Sequence, residues 1–157
     1  MTDYFPAAYY LPHTAPMVLL ENVMHVDAGS ACCQVAVTAN GVLAPFLDAQ
    51  GNLPGWYALE IMAQTTGVWS GWHGMQNNEP PRIGMLLGAR ALRCREPFFA
   101  AGSVLDTQVK LVMSDDKISC FECEIKVAGE VVASARMNTY QPSDADIQKL
   151  FLQDEMA

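Results

Sequence analysis

The stretch NLPGWYALEIMAQTTGVWSGWHG, residues 52–74, decides the fold, and it carries one charged side chain, Glu60, among apolar, small, amide and hydroxyl residues. Leu59, Met62, Ala63, Thr66 and Trp69 recur at helical spacing. Trp56, Ile61, Val68 and Trp72 add apolar mass on the remaining sides, so no clean polar face is left and the helix must be surrounded by protein. Glu60, Gln64, Thr65, Thr66, Ser70 and His73, with no Lys or Arg flank at either end, make a membrane span costly. The stretch therefore reads as a buried helix in which a carboxylate needs a reason, because burial among such neighbours costs several kcal/mol.

On the N-terminal side, MVLLENVMHVDAGSACCQVAVTAN (17–40) shows two apolar runs separated by the turn-rich DAGS, which predicts a strand hairpin. On the C-terminal side, HGMQNNEPP (73–81) is a loop, followed by RIGMLLGARALRCREPF and then by residues 103–141, where SDDK and AGE mark turns. About four strands follow the helix, three of them joined by short hairpins. The order is α+β: an antiparallel sheet covering one apolar face with a single long helix. A second subunit is the economical way to cover the rest of that helix, which predicts a homodimer.

The chain of 157 residues is expected to be a single domain, 1–157, with its core from about residue 9 to 140 and a short tail, 142–157. Ser143, Asp144 and Asp146 suggest a capped helix in that tail. A net charge of −8, with nine Lys and Arg scattered singly, argues against nucleic acid as a partner. The N-terminal MTDYFPAAYYLPHTAP has an early Asp, two early Pro and no basic residue, unlike a signal or transit peptide, so a cytoplasmic protein is expected. Five cysteines, an odd number, then read as reduced thiols. Cys120 and Cys123 fall in KISCFECEIKV, whose alternation sends them to opposite faces, so no metal site is expected.

Three segments in order resemble the hotdog-fold 3-hydroxyacyl-acyl-carrier-protein dehydratases, the FabZ and FabA group. They are YLPHTAPMVLLENVMHVDAG (10–29), LPGWYALEIMAQTTG (53–67) and LRCREPFFAAGSVLDTQVKL (92–111), the last running on in register to VASARM (132–137). Together they span about residues 10–140. The LPGW start of the helix and the missing histidine block look closest to the dehydratase-like proteins of bacterial aryl-polyene pathways. The resemblance implies a curved antiparallel sheet around one central helix, a dimer with sheets continuous across it, and an acyl chain on a carrier protein or CoA held in a tunnel at the interface. No cofactor is implied.

The same resemblance makes Glu60 the catalytic carboxylate that works with a histidine from the other subunit. It gives Gly55 and Trp56 the helix start, where free backbone N–H groups and the positive end of the helix dipole would hold a thioester carbonyl. Gln64, one turn beyond Glu60, would orient the carboxylate or the leaving water. The sequence departs from the family at the histidine: counting back fourteen residues from Glu60 gives Phe46, and counting forward from PF gives Gln50. Asp48, in the same loop, is the nearest ionisable replacement, against its ordinary reading as a turn residue. His13, His25 and His73 stand elsewhere, His73 thirteen residues and roughly 20 Å of helix beyond Glu60. Three functions stay open: a dehydratase, a thioesterase using one carboxylate and a water, and a non-catalytic acyl-binding or heterodimer subunit whose histidine comes from its partner.

Overall fold

The structure, a computed structural model, describes residues 4–12, 16–78, 85–115 and 118–140. The predicted hairpin is β1, Asn22–Val26, and β2, Ser30–Ala36, paired antiparallel. Its turn is set by Asp27, whose Oδ1 accepts the Gly29 N–H and the Ser30 hydroxyl, both at 2.9 Å. A two-residue strand, β3 (Leu53–Pro54), leads into the helix α1, Tyr57–Gln76. After it come β4 (Met85–Cys94), the short β5 (Phe98–Phe99), β6 (Val104–Ser114), β7 (Ile118–Val127) and β8 (Glu130–Tyr140). Four long strands were expected there and are present; β5, which pairs with β3, is too short for any alternation to announce it.

Six strands form one antiparallel sheet in the order β1-β2-β6-β7-β8-β4, which curves around α1 as a hotdog fold. Alternation places Ala31, Cys33 and Val35 of β2, Leu105, Thr107 and Val109 of β6, and Phe121, Cys123 and Ile125 of β7 on the buried face. The helix answers with Ala58, Ile61, Met62, Thr65 and Val68, packed chiefly on β6 and β2. Cys123 is buried while Cys120, three positions away, belongs to the other face, as the alternation required. At the β7–β8 turn Ala128 and Gly129 both take positive φ, 51° and 82°, the backbone a two-residue hairpin loop demands.

Two features frame the helix. A 3₁₀ turn at Ala7–Tyr10 lies across its C-terminal half, and Ala7, ahead of the expected start of the core at residue 9, is fully buried. A Cβ on Gly71 would fall 1.9 Å from the Tyr10 carbonyl oxygen, so only glycine lets that turn approach. The second feature is the edge strand β4, whose register shifts between Arg90 and Arg93 where Ala91 has φ 53°, a bulge. No helix among the described residues is long and apolar enough to cross a membrane. The predicted helix in the tail 142–157 lies outside the described residues.

Candidate active site at the helix start

The start of α1 is held from outside. Leu53 and Pro54 pair with Phe99 and Phe98, and the Gly55 N–H donates to the Pro97 carbonyl at 2.8 Å. A Cβ at Gly55 would meet that carbonyl oxygen at 2.9 Å, so the residue is chosen for close approach of two backbones. This corrects the expectation for Gly55: its amide is committed to Pro97 and is not free to hold a thioester carbonyl. Trp56 follows as the N-cap, with helical backbone angles and no side-chain cap bond, and its own N–H has no backbone acceptor among the described residues.

Glu60 lies in the first turn of α1, closer to the positive end of the helix dipole than a start at Gly55 would have placed it. Its side chain is exposed within the single chain, which corrects the expectation of burial. The reason is geometric: the sheet and the N-terminal turn cover the helix faces carrying Ile61, Met62, Thr65 and Val68, whereas Trp56 and Glu60, four residues apart, share a face the chain does not cover itself.

Beneath Glu60 sits a polar bracket. Gln64 is only 1% exposed. Its Nε2 donates to Glu60 Oε1 at 3.0 Å and to the Met17 carbonyl at 2.8 Å, while its Oε1 accepts the Leu19 N–H at 2.8 Å. The sequence reading foresaw the Gln64–Glu60 pair from i, i+4 spacing. It missed Met17 and Leu19, because a contact spanning some 45 residues leaves no local signal. With both N–H groups engaged, Gln64 orients the carboxylate.

The loop before the helix supplies no histidine equivalent. Phe46 ends the 3₁₀ turn Ala44–Phe46 and packs on Tyr57, ring centroids 5.3 Å apart; Gln50 is exposed. Asp48 spends Oδ1 on the N–H groups of Gln50 and Asn52, at 2.9 and 3.0 Å. Asp48 is thus a turn former through that oxygen, the commonplace use of Asp in such a loop. His25 and His73 are both engaged at the β1–β2 turn, His25 Nε2 on Asp27 Oδ2 at 2.9 Å and His73 Nε2 on the Asp27 carbonyl at 2.8 Å. The His25 hydrogen bond, with those of Gly29 and Ser30, holds the Asp27 carboxyl down at about 2. His13 lies outside the described residues.

Along the segment that clasps Gln64 runs an apolar groove of about 760 Å³, lined by Pro16, Val18 and Leu20 together with Ala8, Val42 and Ala44. Its size is that of a small-molecule site. Val18 stands between the two residues, Met17 and Leu19, that bond Gln64. The described residues contain no group of three or more His, Cys, Asp or Glu able to hold a metal ion. One exposed carboxylate, in the first turn of the helix and backed by a buried amide, can exchange a proton with a bound acyl group.

The family profile described as ApeP-like, ApeP dehydratase, matches residues 5–151. The chain is 34% identical over 139 residues to the 3-hydroxyacyl-acyl-carrier-protein dehydratase FabZ of Shewanella oneidensis, covering 82% of this chain and 84% of that one. Among solved structures, the dehydratase heterocomplex ApeI:P from Xenorhabdus doucetiae contains a chain 51% identical, with a TM-score of 0.89, covering 94% of this chain and 98% of that one. A hypothetical thioesterase from Streptococcus pneumoniae, solved with coenzyme A, shares the fold at a TM-score of 0.60 and 16% identity, over 78% of this chain and 85% of that one.

Proposed function

The chain belongs to the ApeP-like dehydratase family, and from that premise we propose that it is one subunit of a cytoplasmic 3-hydroxyacyl-carrier-protein dehydratase, in fatty-acid or aryl-polyene synthesis, whose acid–base pair is completed by a second hotdog subunit. The observation that carries this reading is the buried Gln64 amide fixed on Glu60 at 3.0 Å. A surface carboxylate with no task does not require a fully satisfied buried amide beneath it.

Dehydration breaks the C2–H bond of the acyl chain and expels the C3 hydroxyl, so one group must accept a proton and another must donate one to the leaving oxygen. Glu60 is one of the two. The loop of this chain offers Phe46, Gln50 and Asp48 as the other, and the one titratable group among them, Asp48, already holds the turn through Oδ1. A homodimer would set that same loop against Glu60, whereas a related subunit that keeps the family histidine would complete the pair. The relative in the ApeI:P heterocomplex supports the unlike partner. The uncovered face of Trp56 and Glu60 and the open edge of β4 are where such a subunit would seat. The acyl tail would lie in the groove along Pro16, Val18 and Leu20.

The test is to incubate the protein, alone and together with a related hotdog subunit that keeps the family histidine, with a 3-hydroxyacyl thioester of a carrier protein, and to follow the mass of the acyl chain. Loss of one water in the mixture, and not with this chain alone, is the expected result. Release of free carrier thiol would mark a thioesterase, and an unchanged acyl chain in the mixture would mark a binding subunit; either overturns the proposal.

A further inference from the structure

The strand that ends the sheet is basic in an acidic chain. Arg90 and Arg93 lie in β4 and Arg95 just follows it, although the net charge of the chain is −8. In a regular strand Arg90 and Arg93, three positions apart, would point to opposite faces. The bulge alters that: Arg90 lies opposite Arg136 and Arg93 opposite Ser134, two positions apart on β8, with Ala91 at φ 53° taking up the extra residue. Ala133, Ala135 and Met137 of β8 are buried, so Ser134, Arg136 and with them both β4 arginines belong to the outer face of the sheet. Arg90, Arg93 and Arg136 are all exposed there. Neighbouring cations are answered by carboxylates, Arg136 Nη2 by Glu122 Oε1 at 2.6 Å and Arg95 Nη1 by Glu130 Oε2 at 3.2 Å. Arg90 and Arg93 make no ion pair among the described residues. Beyond them β4 has no neighbour and forms the open edge of the sheet.

A strand added antiparallel to that edge stands its side chains about 5 Å from those of β4. When the added strand is β4 of a second copy, a two-fold axis through the bulge sets Arg90 of each copy against Arg93 of the other. A slip of two residues only moves the arginines to the diagonal, still within reach of long side chains. Self-pairing therefore brings like charges together twice. We propose that Arg90 and Arg93 select the subunit that joins this edge: they disfavour a second copy of this chain and favour a related hotdog subunit whose edge strand carries Asp or Glu on its outer face. The inference rests on the reading that a second hotdog subunit completes the site, and it names the chemistry of that subunit's edge.

Sedimentation of the full chain by itself tests this without turnover. Arg90→Glu converts both like-charge contacts of a self-paired edge into ion pairs with Arg93, so self-association should tighten by about tenfold or more. Adding Arg93→Glu restores like charge, and the double variant should return to the wild-type value. Raising the salt concentration should strengthen self-association of the wild type and weaken that of Arg90→Glu. Both positions are exposed, so the variants should stay folded, which thermal melting checks. Mixed with a related hotdog subunit that keeps the family histidine, the double variant should bind that subunit about tenfold or more weakly than the wild type does. Self-association indifferent to Arg90→Glu, or tightened equally in the double variant, would overturn the inference. So would a double variant that joins the hotdog subunit at wild-type strength and loses affinity for the carrier protein instead, which would make the arginines a dock for the carrier. Failure of the catalytic reading shows up separately, as a Glu60→Gln complex with undiminished dehydration.

Discussion

Gln64 Nε2 lies 3.0 Å from Glu60 Oε1, and the amide that holds it there cannot turn over. Reversed, it would aim its oxygen at the Met17 carbonyl and at the carboxylate, and its NH₂ at the Leu19 N–H, trading three hydrogen bonds for three clashes of like groups. A backbone segment some 45 residues earlier in the chain therefore fixes which atom faces Glu60. Gln64→Leu keeps the volume but strands the buried Leu19 N–H, and should lower the unfolding free energy by about 1–3 kcal/mol. A urea titration reads this as a fall in midpoint; an unaltered midpoint would show that the bracket does not exist in solution.

The N-terminal turn is clamped onto the helix through Gly71. A Cβ there would sit 1.9 Å from the Tyr10 carbonyl oxygen, while one at Gly29 meets nothing within 4 Å. Gly71→Ala must displace the Ala7–Tyr10 turn and should destabilise by about 1–3 kcal/mol or more. Gly29→Ala should stay within about 0.5 kcal/mol of the wild type. Thermal melts of the two variants side by side make the comparison.

Acid should act at the β1–β2 turn. The Asp27 carboxyl is lowered from 3.8 to about 2, first by the His25 hydrogen bond and then by those of Gly29 and Ser30. A group depressed on folding adds stability that is present above its unfolded value and is lost as pH falls through its folded one, so this contribution fades between about pH 4 and pH 2. The carboxylate is largely exposed, so the effect is small. Asp27→Asn should be less stable than the wild type at pH 6, and the gap should narrow below pH 4. A gap that is constant across a series of buffered melts would refute it.

The thiols should separate by burial. Desolvation pushes Cys33 and Cys123 up to about 12, while Cys94 is exposed and Cys32 and Cys120 are half-buried. Because the thiolate is the reacting form, iodoacetamide at neutral pH should label Cys94, Cys32 and Cys120 ahead of Cys33 and Cys123, which stay untouched until the protein is unfolded. Peptide mass mapping over time gives the order.

How far the molecule can be read from its residues depends on the range of the contacts involved. The helix, the hairpin at DAGS and the three C-terminal strands are written in local periodicity and turn chemistry, and each stands where expected. The Gln64–Glu60 pair was legible for the same reason, being one helical turn. The Gly55 amide was misjudged because its acceptor, Pro97, arrives from the bend between β4 and β5, far along the chain. Glu60 was expected to be buried because its neighbours in sequence are apolar, yet the faces those neighbours use point elsewhere. The turn role of Asp48 was legible too: a short acid beside Gln50, Gly51 and Asn52 hydrogen-bonds its own turn.

The central claim is that Glu60 performs proton transfer in a dehydration completed by another subunit. The most direct measurement is the rate of water loss from a 3-hydroxyacyl carrier thioester, catalysed by the complex of this chain with its hotdog partner, for the wild type and for Glu60→Gln. The variant keeps a side-chain oxygen for the Gln64 amide, so thermal melting should show it folded, while turnover drops by about 10²- to 10⁴-fold. A folded Glu60→Gln complex that releases water at the wild-type rate would contradict the account.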